Sequence, residues 1–172
     1  MSLVIRLATA EDAPAVAGIH VRCWQFAYRG ILPDAVLDIL SIPAHEQLWG
    51  YALGNPTSDR RLWVADDNGT VVGFCETGPS SDDDATRDTA EVGAIYLEPM
   101  RIGTGVGRPL FQDAVDDLCE RGFRRATLWV FRDNPRARRF YEAAGWRPDT
   151  ERSRLRGDDL VVEIRYRTQL ST

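Results

Sequence analysis

A glycine-rich turn, Gly103-Thr104-Gly105-Val106-Gly107-Arg108, is the stretch whose residue types and spacing most directly predict ligand chemistry. It follows the apolar run 94–97 and precedes a segment whose apolar residues recur every three or four positions, as in an amphipathic helix. Glycines let a backbone approach an anion closely, and the unpaired amides of a first helical turn point toward it. The pattern predicts a phosphate-binding turn, although such glycines also occur in turns that bind nothing.

Two common phosphate-binding motifs do not fit this turn. A dinucleotide fingerprint, Gly-x-Gly-x-x-Gly, lacks its third glycine here, because position 108 is Arg and position 110 is Leu. A Walker-type loop needs a Gly-Lys pair, and the chain contains no lysine. A nucleotide-binding oxidoreductase is therefore disfavoured.

A second helical segment carries a longer pattern. Asn134 is a good N-cap, Pro135 suits the first helical position, and Gly145 stands where a helix ends. Together with Gly105-x-Gly107, the motif Asn134-x-x-Ala137-x-x-Phe140-Tyr141-x-x-x-Gly145-Trp146 resembles the GCN5-related N-acetyltransferases in order and spacing. The resemblance is close from about Glu91 to Trp146 and looser, but still in order, outside that span.

The resemblance implies a fold and a cofactor. The fold would be one α/β domain over residues 1–172, with a mixed central sheet of about seven strands, about four main helices, and splayed fourth and fifth strands that admit acetyl-CoA. The strand backbone near Ile95 would pair with the pantetheine arm, and the glycine turn would hold the diphosphate. The predicted cofactor-binding residues are Ile95, Tyr96, Leu97, Ile102, Gly103, Thr104, Gly105, Val106, Gly107, Arg108, Asn134, Arg138 and Tyr141.

One position departs from the family pattern. Ile102 stands where the family usually has Gln or Arg, three residues before the first glycine of the Gly-x-Gly pair. A backbone site does not need that side chain, and the neighbouring Arg101 could compensate from outside. Arg108 could add a phosphate contact or be a solvated helix residue.

The resemblance assigns proton transfer to Tyr141, which matches the family tyrosine that protonates the leaving thiolate. The alternative is a core aromatic. Phe140 and Tyr141 lie about 100° apart on a helix, so we expect Phe140 inside and Tyr141 at the cofactor.

Glu91 is the expected general base, because it has the same offset from Ile102 as the base glutamate of the histone-acetylating branch. It shares strand parity with Ile95 and Leu97, but four strand residues span ~13 Å, so a water relay is expected. The alternative is a charge at a strand end. His20 is the second candidate base, since its ordinary pKa lies near neutrality, although helix histidines are more often structural.

The acceptor pocket implied by this fold lies between the first two helices and the open side of the sheet. Its predicted lining residues are Trp24, Tyr28, Trp129 and His20; the alternative is that the aromatics pack the core. The stretch from Trp24 to Asp34 resembles bacterial members of the family. Asp82, Asp83 and Asp84 could steer a cation, but we expect a solvated loop.

The composition is that of one globular domain, with 44% hydrophobic and 27% charged residues among 172. A net charge of −5 argues against nucleic acid and mildly favours a cationic small-molecule acceptor. Cys23, Cys75 and Cys119 are too scattered for disulfides or zinc, so no metal is expected. No apolar run spans a bilayer and the start is not a signal peptide, so we expect a cytoplasmic protein without membrane association.

Local patterns place the remaining elements. Strands are expected at residues 4–7, 61–65, 70–76, 91–97, 126–131, 152–155 and 160–166, and the second and third are joined by an Asn68-Gly69 hairpin turn. Helices are expected after Thr9, after Pro33, after Pro43, over the segment following the glycine turn, and after Asn134. A homodimer is possible, and the terminal hairpin is the place to look for its interface.

The sequence therefore predicts an N-acetyltransferase that moves an acetyl group from acetyl-CoA to a primary amine, more often of a small molecule than of a protein. The amine would attack directly in a ternary complex. The alternative is a non-catalytic acyl-CoA-binding sensor or regulatory domain. Neither the acceptor nor the acyl length is specified by the fold.

Overall fold

The computed structural model describes residues 3–56 and 59–171, in which seven strands and five α-helices are found. The strands are β1 (Leu3–Leu7), β2 (Arg61–Asp67), β3 (Thr70–Pro79), β4 (Thr89–Leu97), β5 (Arg125–Phe131), β6 (Arg147–Arg156) and β7 (Asp159–Gln169). The helices are α1 (Ala13–Ala27), α2 (Asp34–Asp38), α3 (Ile42–Gly54), α4 (Gly107–Glu120) and α5 (Pro135–Ala143). No described helix has the length and apolar character needed to cross a membrane.

The strands form one mixed sheet in the order β1-β2-β3-β4-β5-β7-β6. Only β4 and β5 run parallel, and every other neighbouring pair is antiparallel. This confirms the predicted α/β class and the mixed sheet of seven strands. Strand β6 begins at Arg147, five residues before the predicted start at Arg152. It is an edge strand with mostly exposed residues, so it lacks the alternating apolar pattern on which the prediction depended.

Strands β4 and β5 separate soon after they begin. They pair only where Thr89–Glu91 lies beside Arg125–Thr127. Beyond Glu91, β4 keeps β3 as its partner on one edge, and its other edge faces an opening toward β5. This opening, called the cleft below, confirms the predicted splay.

A β-bulge at Gly93 changes the direction of the β4 side chains. Val92 pairs with Thr77 and Ala94 with Glu76, so Gly93 is an extra residue on β4. Past the bulge, the face that carries Glu91 continues with Ala94 and not with Ile95, because one inserted residue inverts the alternation. The prediction that Glu91 shares a face with Ile95 and Leu97 is therefore wrong.

Each face of the sheet has its own apolar layer. Helices α4 and α5 cover one face, where Leu110, Leu118 and Trp146 are buried. Helices α1 and α3 cover the other face, where Ile19 and Phe74 are buried. Complete burial of one such side chain contributes about 1.5–3 kcal/mol, so both layers hold the sheet that frames the cleft.

The local signals for turns and helix ends are confirmed. Asn68 and Gly69 have φ of 54° and 85°, the positive values that a tight hairpin turn between β2 and β3 requires. Gly122 and Gly145 also have positive φ, 88° and 90°, at the ends of α4 and α5. These positions need no partner distant in sequence, which is why sequence alone places them.

Candidate active site

The phosphate turn, residues 103–108, lies at one end of the cleft where α4 begins. Gly103 and Gly105 have φ of 82° and 94°, left-handed values that glycine adopts without the cost that a Cβ would add. Within the described residues, no hydrogen bond is donated by the backbone N–H of residues 103, 105, 106, 107 or 108. Five free donors at the positive end of a helix are what an anion site without side-chain ligands requires.

Close packing between α4 and β4 explains the third glycine of the turn. A Cβ at Gly107 would lie 3.3 Å from Leu97 Cδ1, tighter than most contacts of this kind. The missing side chain therefore lets the first turn of α4 approach the end of β4. This brings the phosphate turn next to the open edge of the strand, which is the edge expected to pair with an extended ligand arm.

Arg101 and Thr104 do not face the cleft. Arg101 Nη2 donates to the carboxylate of Asp67, so Arg101 is not placed to compensate for Ile102. Thr104 Oγ1 donates to the carbonyl oxygen of Arg101, 2.8 Å away, and only its backbone belongs to the turn. Ile102 itself lines the cleft, with Gly103 and Arg108.

Helix α5 forms the wall that faces the phosphate turn. Asn134 Oδ1 accepts a hydrogen bond from the amide of Ala137 at 3.2 Å, which is the predicted N-cap. Tyr141 is only 8% exposed, yet it lines the cleft, and burial raises the pKa of its phenol above the ordinary value. Phe140 also lines the cleft and packs edge-on against Phe111, with ring centroids 5.4 Å apart. Both aromatics therefore contribute to the core and to the site.

The arginines of α5 are placed differently from the prediction. Arg138 Nε donates to the hydroxyl of Tyr166 at 3.1 Å and its Nη1 to the carbonyl oxygen of Arg132, so its side chain is turned away from the cleft. The assignment of Arg138 as a cofactor-binding side chain is wrong. Arg136 and Arg139 line the cleft instead. Three arginines lie within four residues of α5, so the sequence could not show which of them face the cleft before the orientation of the helix was known.

Glu91 lies at the point where β4 and β5 part, and its side chain is 15% exposed. Oε1 accepts from Arg60 Nη1 at 3.1 Å, and Oε2 accepts from the amide and hydroxyl of Ser81, each at 3.3 Å. Arg60 also donates to Glu76 at 2.9 Å. Hydrogen bonds from Arg60 and Ser81 therefore fix the Glu91 carboxylate at the margin of the cleft.

His20 belongs to an aromatic cluster between α1 and α3 and does not line the cleft. Its ring stacks on Tyr96 at 5.2 Å, and its Nδ1 accepts from Trp49 Nε1 at 3.2 Å. Burial, with a smaller effect of His45, lowers the pKa of His20 to about 4. The placement of His20 in the acceptor pocket is wrong, and so low a pKa makes it a poor base near neutral pH.

Trp24 and Tyr28 line the cleft from the end of α1. Their rings meet edge-on at 5.2 Å, and Tyr28 packs in the same way on Phe131 of β5 at 4.8 Å. The indole Nε1 of Trp24 is buried, and the nearby Tyr96 hydroxyl interacts with this side chain. Burial raises the pKa of the Tyr28 phenol, so this wall presents neutral aromatic groups.

In the acidic loop before β4, Asp83 and Asp84 are exposed, as expected for a solvated loop, whereas Asp82 is not. The side chain of Asp82 is 8% exposed and accepts from Trp129 Nε1 at 2.8 Å and from Thr127 Oγ1 at 3.2 Å. Arg165 donates to both Asp82 and Asp84. The loop is thereby fixed against β5, and its Asp82 orients the Trp129 indole in the cleft.

An arginine cluster on β6 was missed by the sequence analysis. Arg152, Arg154 and Arg156 line the cleft and surround Glu163 of β7, with N–O distances of 2.6, 3.6 and 3.2 Å. The Cζ of Arg152 lies 3.6 Å from the ring centroid of Trp129. Arginines at alternate positions of a strand share one face, and this pattern was visible in the sequence. The arginines lie outside the recognised motifs, so the sequence did not connect them with the cleft.

Comparison with known proteins connects this geometry to a family. The acetyltransferase (GNAT) family profile matches residues 19–146. The uncharacterized N-acetyltransferase YuaI of Bacillus subtilis is 32% identical over 134 residues, 77% of this chain and 74% of that protein. The spermidine N(1)-acetyltransferase of Thermoplasma acidophilum is 24% identical over 170 residues, 96% of this chain and 99% of that protein.

A solved structure shares the fold over nearly the whole chain. It is a phosphinothricin acetyltransferase of the GNAT superfamily from Sinorhizobium meliloti, in complex with acetyl-CoA. The match covers 99% of this chain and 89% of that chain, with 21% identity and a TM-score of 0.75.

Proposed function

Because this chain belongs to the acetyltransferase (GNAT) family and is an acetyltransferase, we propose that it transfers the acetyl group of acetyl-CoA to the primary amine of a small molecule. The amine attacks directly while both substrates are bound. The proposal includes a single domain over residues 1–172 and a cytoplasmic location. A homodimer with its interface at the β6–β7 hairpin stays a prediction.

The observation that carries the proposal is the continuity of the phosphate turn with the open edge of β4. The five free amides fit a diphosphate, and the edge beyond Glu91 fits an extended amide-containing arm that adds to the sheet as a strand would. The residues present therefore fit coenzyme A, as in the related structure crystallised with acetyl-CoA. When bound, acetyl-CoA supplies an activated thioester. Residues 102–108, Ile95, Leu97 and Asn134 hold it by this geometry.

Tyr141 is the proposed acid for the departing thiolate. Burial raises the pKa of its phenol, so the proton is retained until a stronger base forms beside it. The same poorly solvated surroundings destabilise a thiolate, as the raised pKa of the buried Cys75 nearby illustrates. Burial acts in the same direction on donor and acceptor, which preserves the driving force for proton transfer.

Glu91 is the proposed general base. Its carboxylate accepts hydrogen bonds from Arg60 and Ser81, and it lies where the strands part, so a water between Glu91 and the amine would carry the proton. The bulge at Gly93 supports this role. It directs Glu91 to the face of β4 that carries Tyr96, which is the face covered by the α1 wall of the cleft.

The test is acetyl-CoA binding by calorimetry, followed by thiol release across a panel of amines. Binding with turnover of at least one amine supports the enzyme. Binding without turnover of any amine would favour the alternative of a non-catalytic sensor. Absence of acetyl-CoA binding would contradict the proposal, because acetyl-CoA is the proposed acetyl donor.

A further inference from the structure

The arginine cluster gives one wall of the cleft a positive charge. Three guanidinium groups, of Arg152, Arg154 and Arg156, surround the single carboxylate of Glu163, which leaves the group with a net formal charge of +2. Glu163 is buried, and its oxygens are occupied by these arginines. The cluster therefore cannot serve as a site for a second cation.

The position of Arg152 relates this charge to the reaction. Its guanidinium lies over the Trp129 ring, and Trp129 is two residues beyond Thr127, the last residue of β5 that pairs with β4. Two strand residues span roughly 7 Å, so the charge lies about that far along β5 from the point where the strands part. A small molecule whose amine reaches the thioester between the strands would reach Arg152 with its other end.

The arginine cluster has N–H groups open to the cleft. The side chains of Arg152, Arg154 and Arg156 are 29%, 50% and 33% exposed, and all three line the cleft. The Nε of Arg156 is buried and has no hydrogen-bond partner among residues 3–56 and 59–171. Guanidinium N–H groups only donate, so a ligand group that pairs with the cluster is an acceptor.

From these observations we infer that the amine substrate also carries an oxyanion, either a carboxylate or a phosphorus oxyanion, and that Arg152, Arg154 and Arg156 bind it. Guanidinium groups donate paired hydrogen bonds that match the geometry of both oxyanions. The inference rests on the proposed function and names its acceptor class. It differs from the cationic acceptor that the net charge of the chain suggested, because the charge of the cleft wall, and not of the whole surface, acts on a bound molecule.

Substrate pairs that differ only in the anion test this inference. Thiol release from acetyl-CoA is measured with a panel of L-amino acids, each beside its carboxamide, and with aminoalkylphosphonates of matched length. At least one acid should exceed its neutral partner about tenfold or more in kcat/KM, as one charge-assisted hydrogen bond would give. The amine of a carboxamide is less basic than that of the matching acid, so a larger fraction of it is unprotonated and able to attack at neutral pH. Without an anion site the carboxamide would therefore react faster, and a preference for the acid cannot come from amine basicity.

Variants assign the preference to the cluster. Arg152→Gln should lower the ratio of acid to carboxamide kcat/KM about tenfold to a hundredfold. Arg154→Gln should lower it in the same direction; this side chain is 50% exposed and 3.6 Å from Glu163, so its loss leaves the fold intact. Arg147→Gln, on the same strand with its Nη1 on the carbonyl oxygen of Trp146, is the matched control.

The outcomes separate the two proposals. Turnover of carboxamides or polyamines with no preference for any acid would overturn the anionic acceptor and leave the acetyltransferase in place. An acid preference that persists in both Arg152→Gln and Arg154→Gln would overturn the role of the cluster. No turnover of any amine would overturn both proposals. Whether the amino acids or the phosphonates react faster identifies the oxyanion.

Discussion

Arg60 Nη1 lies 3.1 Å from Oε1 of Glu91, while the Nε of the same guanidinium lies 2.9 Å from Glu76. One cation thus joins a carboxylate at the edge of the cleft to a carboxylate on the neighbouring strand. Gly93, the bulge residue, makes room for this arrangement, since a Cβ there would lie 2.9 Å from both Arg60 Nη2 and Glu76 Oε2. The bulge and the ion pair together fix the direction of Glu91.

Glu91→Gln is expected to lower kcat about tenfold to a hundredfold, because an amide cannot take a proton from the attacking amine or its water. Steady-state kinetics with a fixed acetyl-CoA concentration measure this loss. Glu76→Gln is the matched control, since it removes the other partner of Arg60 and does not line the cleft. Equal losses of kcat in both variants would show that activity depends on the ion pairs of Arg60 and not on proton transfer to Glu91.

Tyr141→Phe is expected to lower kcat about a hundredfold or more and to leave the thermal unfolding temperature nearly unchanged. The hydroxyl makes no hydrogen bond within the described residues, so its loss removes a proton donor and little packing. Thiol-release assays and thermal unfolding measure the two effects. Tyr51→Phe, an exposed position on α3, is the control. Full activity of Tyr141→Phe would indicate that solvent, and not Tyr141, protonates the thiolate.

Gly105→Ala is expected to weaken acetyl-CoA binding about tenfold or more and to destabilise the fold by about 1–2 kcal/mol. Its φ of 94° is strained for any residue with a Cβ, and relaxation would turn amides of the phosphate turn away from the anion. Calorimetry and urea unfolding measure these effects. Gly50→Ala, within α3 with open space around it, should bind normally and gain about 0.5–1 kcal/mol. Unchanged binding in Gly105→Ala would remove the turn from the cofactor site.

Acidification is expected to destabilise the fold through His20. Its pKa is about 4 when folded and near 6.5 when unfolded, so the unfolded chain binds more protons between these values. This contribution is complete above pH 6.5 and is lost progressively as the pH falls through 4, up to a few kcal/mol. Urea unfolding at pH 7.5 and pH 5 measures it.

His20→Gln should reduce this pH dependence, whereas His45→Gln should largely retain it, because His45 contributes the smaller part of the shift. Parallel pH dependence in wild type and His20→Gln would mean that other groups dominate the acid response.

Sequence predicted the elements of the fold well where the deciding interactions are local. The Asn68-Gly69 turn, the Asn134 cap and the glycines after α4 and α5 depend on backbone conformation within a few residues. The start of β6 was predicted five residues late, because an edge strand with exposed residues has no apolar alternation to reveal it.

The direction of side chains was harder to predict. The parity of Glu91 failed because one inserted residue at Gly93 inverts every later position of β4. Arg138 was expected at the cofactor, and Arg101 was considered only as a compensation for Ile102, yet these side chains pair with the distant partners Tyr166 and Asp67. Such partners are separated from them by tens of residues and leave no local pattern.

The sequence by itself determined the family, the phosphate turn and the position of Tyr141 in its motif, since these depend on spacing within single segments. The tertiary structure decided which charges share the cleft. Arg152 of β6 stacks on Trp129 of β5, and Asp82 fixes that ring from a third segment, only because β7 pairs with both β5 and β6 in the sheet. Charged side chains choose partners by distance in space, so the electrostatic character of the acceptor wall exists only in the folded chain.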